Sequence, residues 1–449
     1  MEDFNDARTV KEFRMTTFSG YQKTKVRDEF IKSMRDRKIE PACYWAAEMV
    51  ASGHFSELWE ALFLFFTQCI HLGNAKLVVY LRERYGLYYE MANSTQTATG
   101  SQVSPLELRN RKAIRTLMTE MTCVLSLSPR KPTLSRAVLP TARHLHFEPD
   151  SPLDISVALE SQKSAPSIDY LHPSRILPES SIAALSHQSQ PPAELSVSTR
   201  KKSSQRKQYL FHPSFMMDRV SAPHTHYYVL KRPKDPEEWF VALNELAYQL
   251  SEDRFNMLEA CFWIEWLLEY DSYCRTHSKE WAMANAGSVK INKGAMRSEL
   301  TDGLVPSKFN QDMAWAIWEL LLEPSRSISP DSLAMRLLKN AHVLFCVDYT
   351  TASCSKKRFW FYFAISLRTE KTAIGTEKII SDEYRELIQH VVQKTDDVYQ
   401  EIKVSEQRPA TDYLMNGIRE RNRREDTIQS LQAIQSVDMF QLNGLSGRR

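Results

Sequence analysis

Ten of the chain's twenty prolines fall between residues 129 and 192, among many serines and few aromatic residues. A segment of that composition has too little apolar surface to offset the entropy of ordering it, so residues 126–208 are read as a Pro/Ser-rich disordered linker. Everything else must fold on either side of it. The boundaries that follow are an N-terminal helical domain over residues 1–125, a C-terminal helical domain over 209–375 and a polar helical tail over 376–449.

Each flanking block has the apolar period of helices. Val26, Phe30, Ile31 and Met34 recur at helical spacing, and Pro41 then sits where a new helix can start. That second helix carries Ala42, Cys43, Trp45, Ala46, Met49 and Val50, and Gly53 is expected to close it in the left-handed conformation. Ser56 is expected to cap a third helix, in which Trp59, Leu62, Phe63, Leu64, Phe65 and Phe66 cover the whole circumference. A helix apolar on every side has to be central. Gly73-Asn74 breaks it, residues 75–84 form the next helix, and Ser104-Pro105 is expected to open one long helix with Ile114, Leu117, Met121 and Val124 on one face.

The second block starts as strongly. Asp235-Pro236-Glu237-Glu238 places a capping side chain, a first-turn proline and two acids at a helix start, and Leu243, Leu246, Ala247 and Leu250 form the inner face. A tryptophan-rich helix over 258–268 follows, then one over 311–322 with Trp315 and Ile317, then one begun by Ser329-Pro330. Residues 359–367 are too uniformly apolar to assign by period and are read as helix; the tail carries polar helices over 382–407 and 413–434. Only twelve glycines are present in 449 residues, few for a Gly-rich sheet or barrel. The fold class is therefore mainly α. Ala42-Cys43-Tyr44-Trp45 and Ala260-Cys261-Phe262-Trp263 share one Ala-Cys-aromatic-Trp pattern on helices preceded by helices, which points to two related multi-helix domains from a duplication. Trp45, Trp59, Trp263 and Trp315 are assigned to the cores.

Composition and motifs exclude more than they assign. With 58 basic and 55 acidic residues the formal charge is +3, so no global field drives the chain onto nucleic acid or an anionic membrane. Seven scattered cysteines suggest a reducing compartment, and residues 1–13 lack the apolar stretch of a secretory signal. The most apolar run, residues 58–72, contains Glu60, Gln68 and His71 and is too short to span a bilayer. The sequence contains no GxxxxGK[ST] phosphate loop, GxGxxG fingerprint, GxSxG elbow or HExxH zinc motif. No catalytic residue, cofactor or metal site is assigned. His54, Cys69 and His71 come nearest to a metal cluster, but only Cys69 and His71 are closely spaced, and a buried thiol and a turn histidine explain them better. The pairs His144 and His146, and His224 and His226, sit in Pro-rich polar surroundings. Glu48, Glu60, Glu120, Glu245 and Glu265 lie within apolar helices, where they could act as paired acids or bind arginines such as Arg82, Arg84, Arg115 and Arg358.

Local basic patches offer weak nucleic-acid contacts. Lys201 and Lys202 belong to one run, Arg423 and Arg424 follow Arg419 and Arg421 on the last helix, and Lys356, Lys357 and Arg358 precede Phe359-Trp360-Phe361-Tyr362. Cations beside aromatics can neutralise phosphates and stack bases, although a basic turn leading into a core helix has the same sequence.

The segments Thr16-Thr17-Phe18-Ser19-Gly20-Tyr21, Ala42-Cys43-Tyr44-Trp45-Ala46-Ala47-Glu48 with Ser52-Gly53-His54 and Leu58-Trp59-Glu60, and Ile70-His71-Leu72-Gly73-Asn74 with Lys76-Leu77 resemble an uncharacterised protein family of nucleocytoplasmic large DNA viruses. Ala260-Cys261-Phe262-Trp263-Ile264-Glu265-Trp266 and Leu344-Phe345-Cys346-Val347-Asp348-Tyr349-Thr350 extend the resemblance to the second block, while the linker departs from the family pattern. The resemblance implies a viral origin and no activity. A tyrosine-tryptophan pair early in one helix, followed by a break and a long apolar helix, is also similar to the helical collar of clamp-loader ATPases. The expectation is a non-enzymatic structural or interaction protein, in the virion or the viral factory of the host cytoplasm, with capsid or factory proteins as partners. The alternative is a nucleic-acid-associated accessory factor in viral replication or transcription, for which the basic runs leave a nuclear location open.

Overall fold

The computed structural model describes residues 3–93, 104–133, 220–222, 237–276, 305–306, 309, 312–325, 328–370 and 378–407. These are mainly helical and contain no β-strand beyond two isolated bridges. The first block comprises α1 (Lys23–Arg35), α2 (Ile39–Ala51), α3 (Phe55–Phe65), α4 (Leu77–Asn93), α5 (Pro105–Leu108) and α6 (Lys112–Leu127). The second comprises α7 (Glu237–Gln249), α8 (Met257–Thr276), α9 (Met313–Leu322), α10 (Leu333–Cys346) and α11 (Arg358–Thr369). α12 (Asp382–Gln393) and α13 (Thr395–Lys403) follow.

Local signals act as their chemistry requires. Gly53 adopts φ +74° after α2, and Ser104 caps α5 through the Leu106 N–H, with Pro105 in the first turn. Residues 359–367, ambiguous by period, lie inside α11. Other boundaries differ from the expectations above. α3 is capped by His54, and the Ser56 hydroxyl instead reaches Asp348 at 2.9 Å. The helix expected over 75–84 continues to Asn93, because the Tyr85 and Tyr88 rings pack on Trp59 and extend its buried face. The helix expected to run from Ser104 is interrupted at Arg109–Arg111, where Arg109 turns to the Ala51 carbonyl and Asn110 to the backbone of Phe4.

α3 ends in a π-helical turn, Phe66–Ile70, and His71 then takes φ 48°. The chain leaving α6 runs past this turn: Lys131 N–H donates to the Ile70 carbonyl and Thr133 N–H to the Gln68 carbonyl, both at 3.1 Å. Gly73 permits the approach, since a Cβ there would lie 2.6 Å from the Lys131 nitrogen.

The two blocks share one hydrophobic core. Trp360 of α11 meets Phe63 and Phe66 at ring separations of 5.9 and 5.6 Å, and Phe363 meets Phe66 at 5.1 Å and His71 at 5.6 Å. α4 packs on α10, and the α12–α13 pair from the polar tail packs back onto α6 and α2, burying Ile388, Tyr399 and Ile402. The further tail helix over 413–434 and nearly all of the linker lie outside the described residues.

The Ala-Cys-aromatic-Trp segments both sit on the second helix of a hairpin, α1–α2 and α7–α8. Cys43 and Cys261 are both buried, but the tryptophans differ. Trp263 is 1% exposed, on a helix packed by α7, α9 and α11, whereas Trp45 is half-buried beneath Tyr21. The core position expected for Trp45 is thus a partial one. Trp59 and Trp315 are buried, with the Trp315 indole N–H on the Phe309 carbonyl at 2.7 Å.

Two stability tests follow from this packing. Trp263→Ala should cost about 3–5 kcal/mol by leaving a closed cavity, and Trp45→Ala roughly 1–2 kcal/mol, since water already reaches that site. Urea unfolding of the two variants compares them directly, and equal losses would mean that Trp45 is a core residue. Burial also pushes His71 and His342 down to about 4. A histidine depressed in the folded state stabilises it above the unfolded value of about 6.5, and that contribution falls as pH drops to 4, where the folded state also takes up the proton. Between those limits each histidine should remove up to about 3 kcal/mol. Denaturant midpoints measured from pH 7 to pH 4 should show this loss, and His342→Phe should flatten it.

Candidate interaction site

The buried acids do not converge. Glu120 accepts from Arg84 Nε at 2.9 Å and the Tyr80 hydroxyl at 2.6 Å. Glu265 accepts from Arg358 Nη1 at 2.5 Å and the Tyr362 hydroxyl at 2.9 Å. In both triplets the arginine and tyrosine are four residues apart, hence on one face of a facing helix. Removing one partner of such a pair leaves an uncompensated charge in the core. Glu245 receives the Ser221 N–H at 2.8 Å. Glu48 receives the Ser19 N–H at 3.3 Å, and burial pushes its carboxyl up. Glu60 pairs with Lys356 at 3.2 Å near the surface. Each acid thus joins a different pair of segments. Two clefts of about 420 and 330 Å³ open elsewhere, and none of these five carboxylates lines either one. Of the expected arginine partners Arg84 and Arg358 bind acids of this set, while Arg115 donates to the Arg109 carbonyl at 2.6 Å and to Asn110 at 3.3 Å.

The basic-aromatic run Lys356–Tyr362 faces largely inward. The Lys357 ammonium donates to the last carbonyls of α10, Phe345 at 2.9 Å and Val347, and burial pushes its pKa down to about 8. Arg358 is held by Glu265, and Trp360, Phe361 and Tyr362 are core residues. This corrects the assignment of Lys357 and Arg358 as phosphate contacts: both cations are engaged internally, and Lys356 alone of the three is exposed. Lys201, Lys202, Arg423 and Arg424 lie outside the described residues, as do the paired histidines of residues 144–146 and 224–226. His54 Nε2 faces the Thr16 carbonyl at 3.3 Å, and His71 packs edge-on to Phe363. Among the described residues neither belongs to a group of three His, Cys, Asp or Glu placed to hold a metal, and no helix is long and apolar enough to cross a membrane.

The connections between the helices form structural joints. Phe18 N–H donates to the Ser52 hydroxyl at 2.8 Å, Ser19 to Glu48, and Lys23 pairs with Glu57 at 2.6 Å, fixing the 15–23 turn to both ends of the α2–α3 connection. Asn74 Nδ2 donates to the Ile379 carbonyl at 2.8 Å. The Tyr349 and Thr351 hydroxyls both reach Asp312 Oδ2, at 2.9 and 2.6 Å.

What these joints leave open is aromatic. Tyr21 stands edge-on to Trp45 at 5.5 Å and Tyr44 to Trp45 at 5.1 Å, so one three-ring ledge covers the outer side of α2. Tyr21 is 45% exposed, and Met15, on the same turn, is 68% exposed. Burial pushes Tyr44 up to about 12, so its ring is neutral near pH 7. A fixed, uncharged, amphipathic ring surface is suited to contact another protein, because aromatic side chains lose little conformational entropy on binding.

Sequence reasoning assigned Trp45 to the core and did not join it to Tyr21, 24 residues away along the chain. It also missed the buried residues Arg109, Asn110 and Arg111, and named Arg115 only as a partner for the helix-embedded acids. The sequence signal for the missed residues was present, since Arg109-Asn110-Arg111-Lys112 is a polar block inside what otherwise reads as an amphipathic helix. Comparison with protein-family models, characterised proteins and solved structures finds no match for this chain.

Arg358→Ala should lower stability by about 3–5 kcal/mol, by stranding the Glu265 carboxylate, while Lys356→Ala should change it by under about 1 kcal/mol. Thermal or denaturant unfolding distinguishes the two; a mild Arg358→Ala would show that Glu265 is solvated.

Proposed function

We propose that this chain is a structural or interaction protein of a large DNA virus, a virion component or viral-factory scaffold without a reaction of its own. The observation that carries the reading is the exposed ring ledge of Tyr21, Tyr44 and Trp45 beside Met15, on a body whose buried acids are used as joints between helices. A scaffold needs a rigid body and an adhesive face, and this chain combines a shared core with such a face. The viral setting rests on the resemblance of residues 16–21, 42–48, 52–54, 58–60, 70–74, 76–77, 260–266 and 344–350 to the large-DNA-virus family. Capsid or factory proteins are the partners this reading implies, in the virion or the infected-cell cytoplasm.

Quantitative proteomics of purified virions, combined with cross-linking in infected cells, tests both versions. The expected result is recovery with capsid or factory proteins through cross-links near Tyr21 and Trp45. Paired Met15→Ser and Tyr21→Ser substitutions should abolish those cross-links while leaving the melting temperature within a few degrees, as surface changes do. Absence from particles together with absence of factory cross-links would overturn the proposal.

A further inference from the structure

Residues 3–8 lie on the rest of the molecule as a peptide lies in a receptor. The Phe4 N–H donates to Asn110 Oδ1 at 2.7 Å and Asn110 Nδ2 donates back to the Phe4 carbonyl at 3.0 Å, so one side-chain amide holds both polar groups of a single residue. The Phe4 ring is 3% exposed. It meets Phe18 edge-on at 4.9 Å and Tyr399 at 6.3 Å, with the Arg109 and Arg115 guanidinium carbons each 5.5 Å from its centre. Charge follows the same pattern: Asp3 lies 3.8 Å from Arg115, and Lys403 Nζ donates to the Asp3 carbonyl at 2.9 Å. Asp6 accepts the Gln407 N–H at 3.0 Å, and Ala7 N–H donates to the Gln407 carbonyl at 2.8 Å.

The receptor side has supports of its own. Arg109 is anchored on the Ala51 carbonyl at 2.9 Å, and Arg115 on the Arg109 carbonyl at 2.6 Å. Both therefore keep their positions without contacts from the arm. Residues 9–12, between the arm and buried Phe13, are all exposed. Arg8 pairs with Asp6 at 2.6 Å and lies over the stacked Phe13 and Phe18 rings, at 4.8 and 4.6 Å, so the Phe4 end of the arm is the part free of that stack.

We propose that the pocket of Asn110, Arg109, Arg115, Phe18, Tyr399 and Lys403 is a docking site for a partner protein's segment of the form acidic-Phe in extended conformation, which residues 3–4 occupy in the free molecule. The amide clamp requires an extended backbone, the ring pocket requires phenylalanine, and Arg115 favours an acid immediately before it. A tethered arm acts at an effective concentration of roughly millimolar order, so a partner must bind well enough to displace it. This site is separate from the Tyr21–Trp45 ledge, and its test does not depend on a virion role.

The probe is a labelled synthetic hexapeptide with the sequence of residues 3–8, capped at both ends. Full-length Phe4→Ala, its own arm weakened, should bind the probe at least roughly tenfold tighter than the unsubstituted chain. Adding Asn110→Ala, or replacing the phenylalanine of the probe by alanine, should abolish binding. A folded Phe4→Ala chain that ignores the probe, or binds the alanine peptide equally, overturns the proposal. Should Phe4→Ala not fold, amide hydrogen exchange of the unsubstituted chain decides: excess probe should speed exchange in residues 3–8, and unchanged protection overturns the site. Concentration-dependent self-association of the unsubstituted chain, lost in Phe4→Ala, would overturn the partner reading in favour of arm exchange between copies.

Discussion

A helix that is apolar around most of its circumference has to be enclosed around most of it, and α3, open along Ser56, Glu57 and Glu60, sets that requirement for the rest of this molecule. Its Leu58, Trp59, Leu62, Phe63 and Phe65 are all buried. The first block alone does not enclose them: Phe63 and Phe66 meet Trp360 and Phe363, which come from a helix nearly three hundred residues further along the chain. The π-helical turn after α3 and the left-handed His71 belong to the same solution. The extra residue in the turn redirects the chain so that His71 lies edge-on to Phe363 and Gly73 lies against residues 129–131. Aromatic contacts at this seam join the cores of the two halves.

The same seam shows what was legible in the sequence. Helical period, caps and breakers act locally, so the Gly53 terminus, the Pro105 start and the largely apolar α3 could be assigned from neighbouring residues alone. The identity of the enclosing element could not. Periodicity shows that Phe63 is buried but not that Trp360 covers it, and the intervening Pro/Ser-rich segment suggested two separate cores. The tail misleads for a related reason. α12 is mostly exposed, yet Ile388 on it is buried, and α13 buries Tyr399 and Ile402. A narrow apolar contact of that kind barely differs in composition from a free polar helix.

Polar chemistry was legible only by residue type. Arginines were expected to meet the helix-embedded acids, and Arg84 and Arg358 do so with Glu120 and Glu265. That a tyrosine completes each triplet is visible in retrospect, because Tyr80 precedes Arg84 by four residues and Tyr362 follows Arg358 by four. Lys357 went the other way. A cation beside three aromatics suggested a base-stacking surface, but the aromatics belong to the core and carry the lysine to the unsatisfied carbonyls at the end of α10. Basic residues at the start of a buried helix lie where the preceding helix ends, and free carbonyls are found there.

The paired Ala-Cys-aromatic-Trp segments carry the functional argument furthest, because nearly the same four residues meet two environments. In α8 the tryptophan is enclosed by helices, and nothing is left for another molecule to touch. In α2 the equivalent ring has Tyr21 against its edge and solvent beyond, although Cys43 beneath it is packed as tightly as Cys261. Core packing would have favoured covering Trp45 with a helix, as Trp263 is covered. The Thr16–Tyr21 turn instead adds a second ring to the exposed one, and its backbone is pinned by Ser52 and Glu48 so that the rings stay in register. That rigid, solvent-facing ring pair is the feature on which the proposed contact with a partner rests.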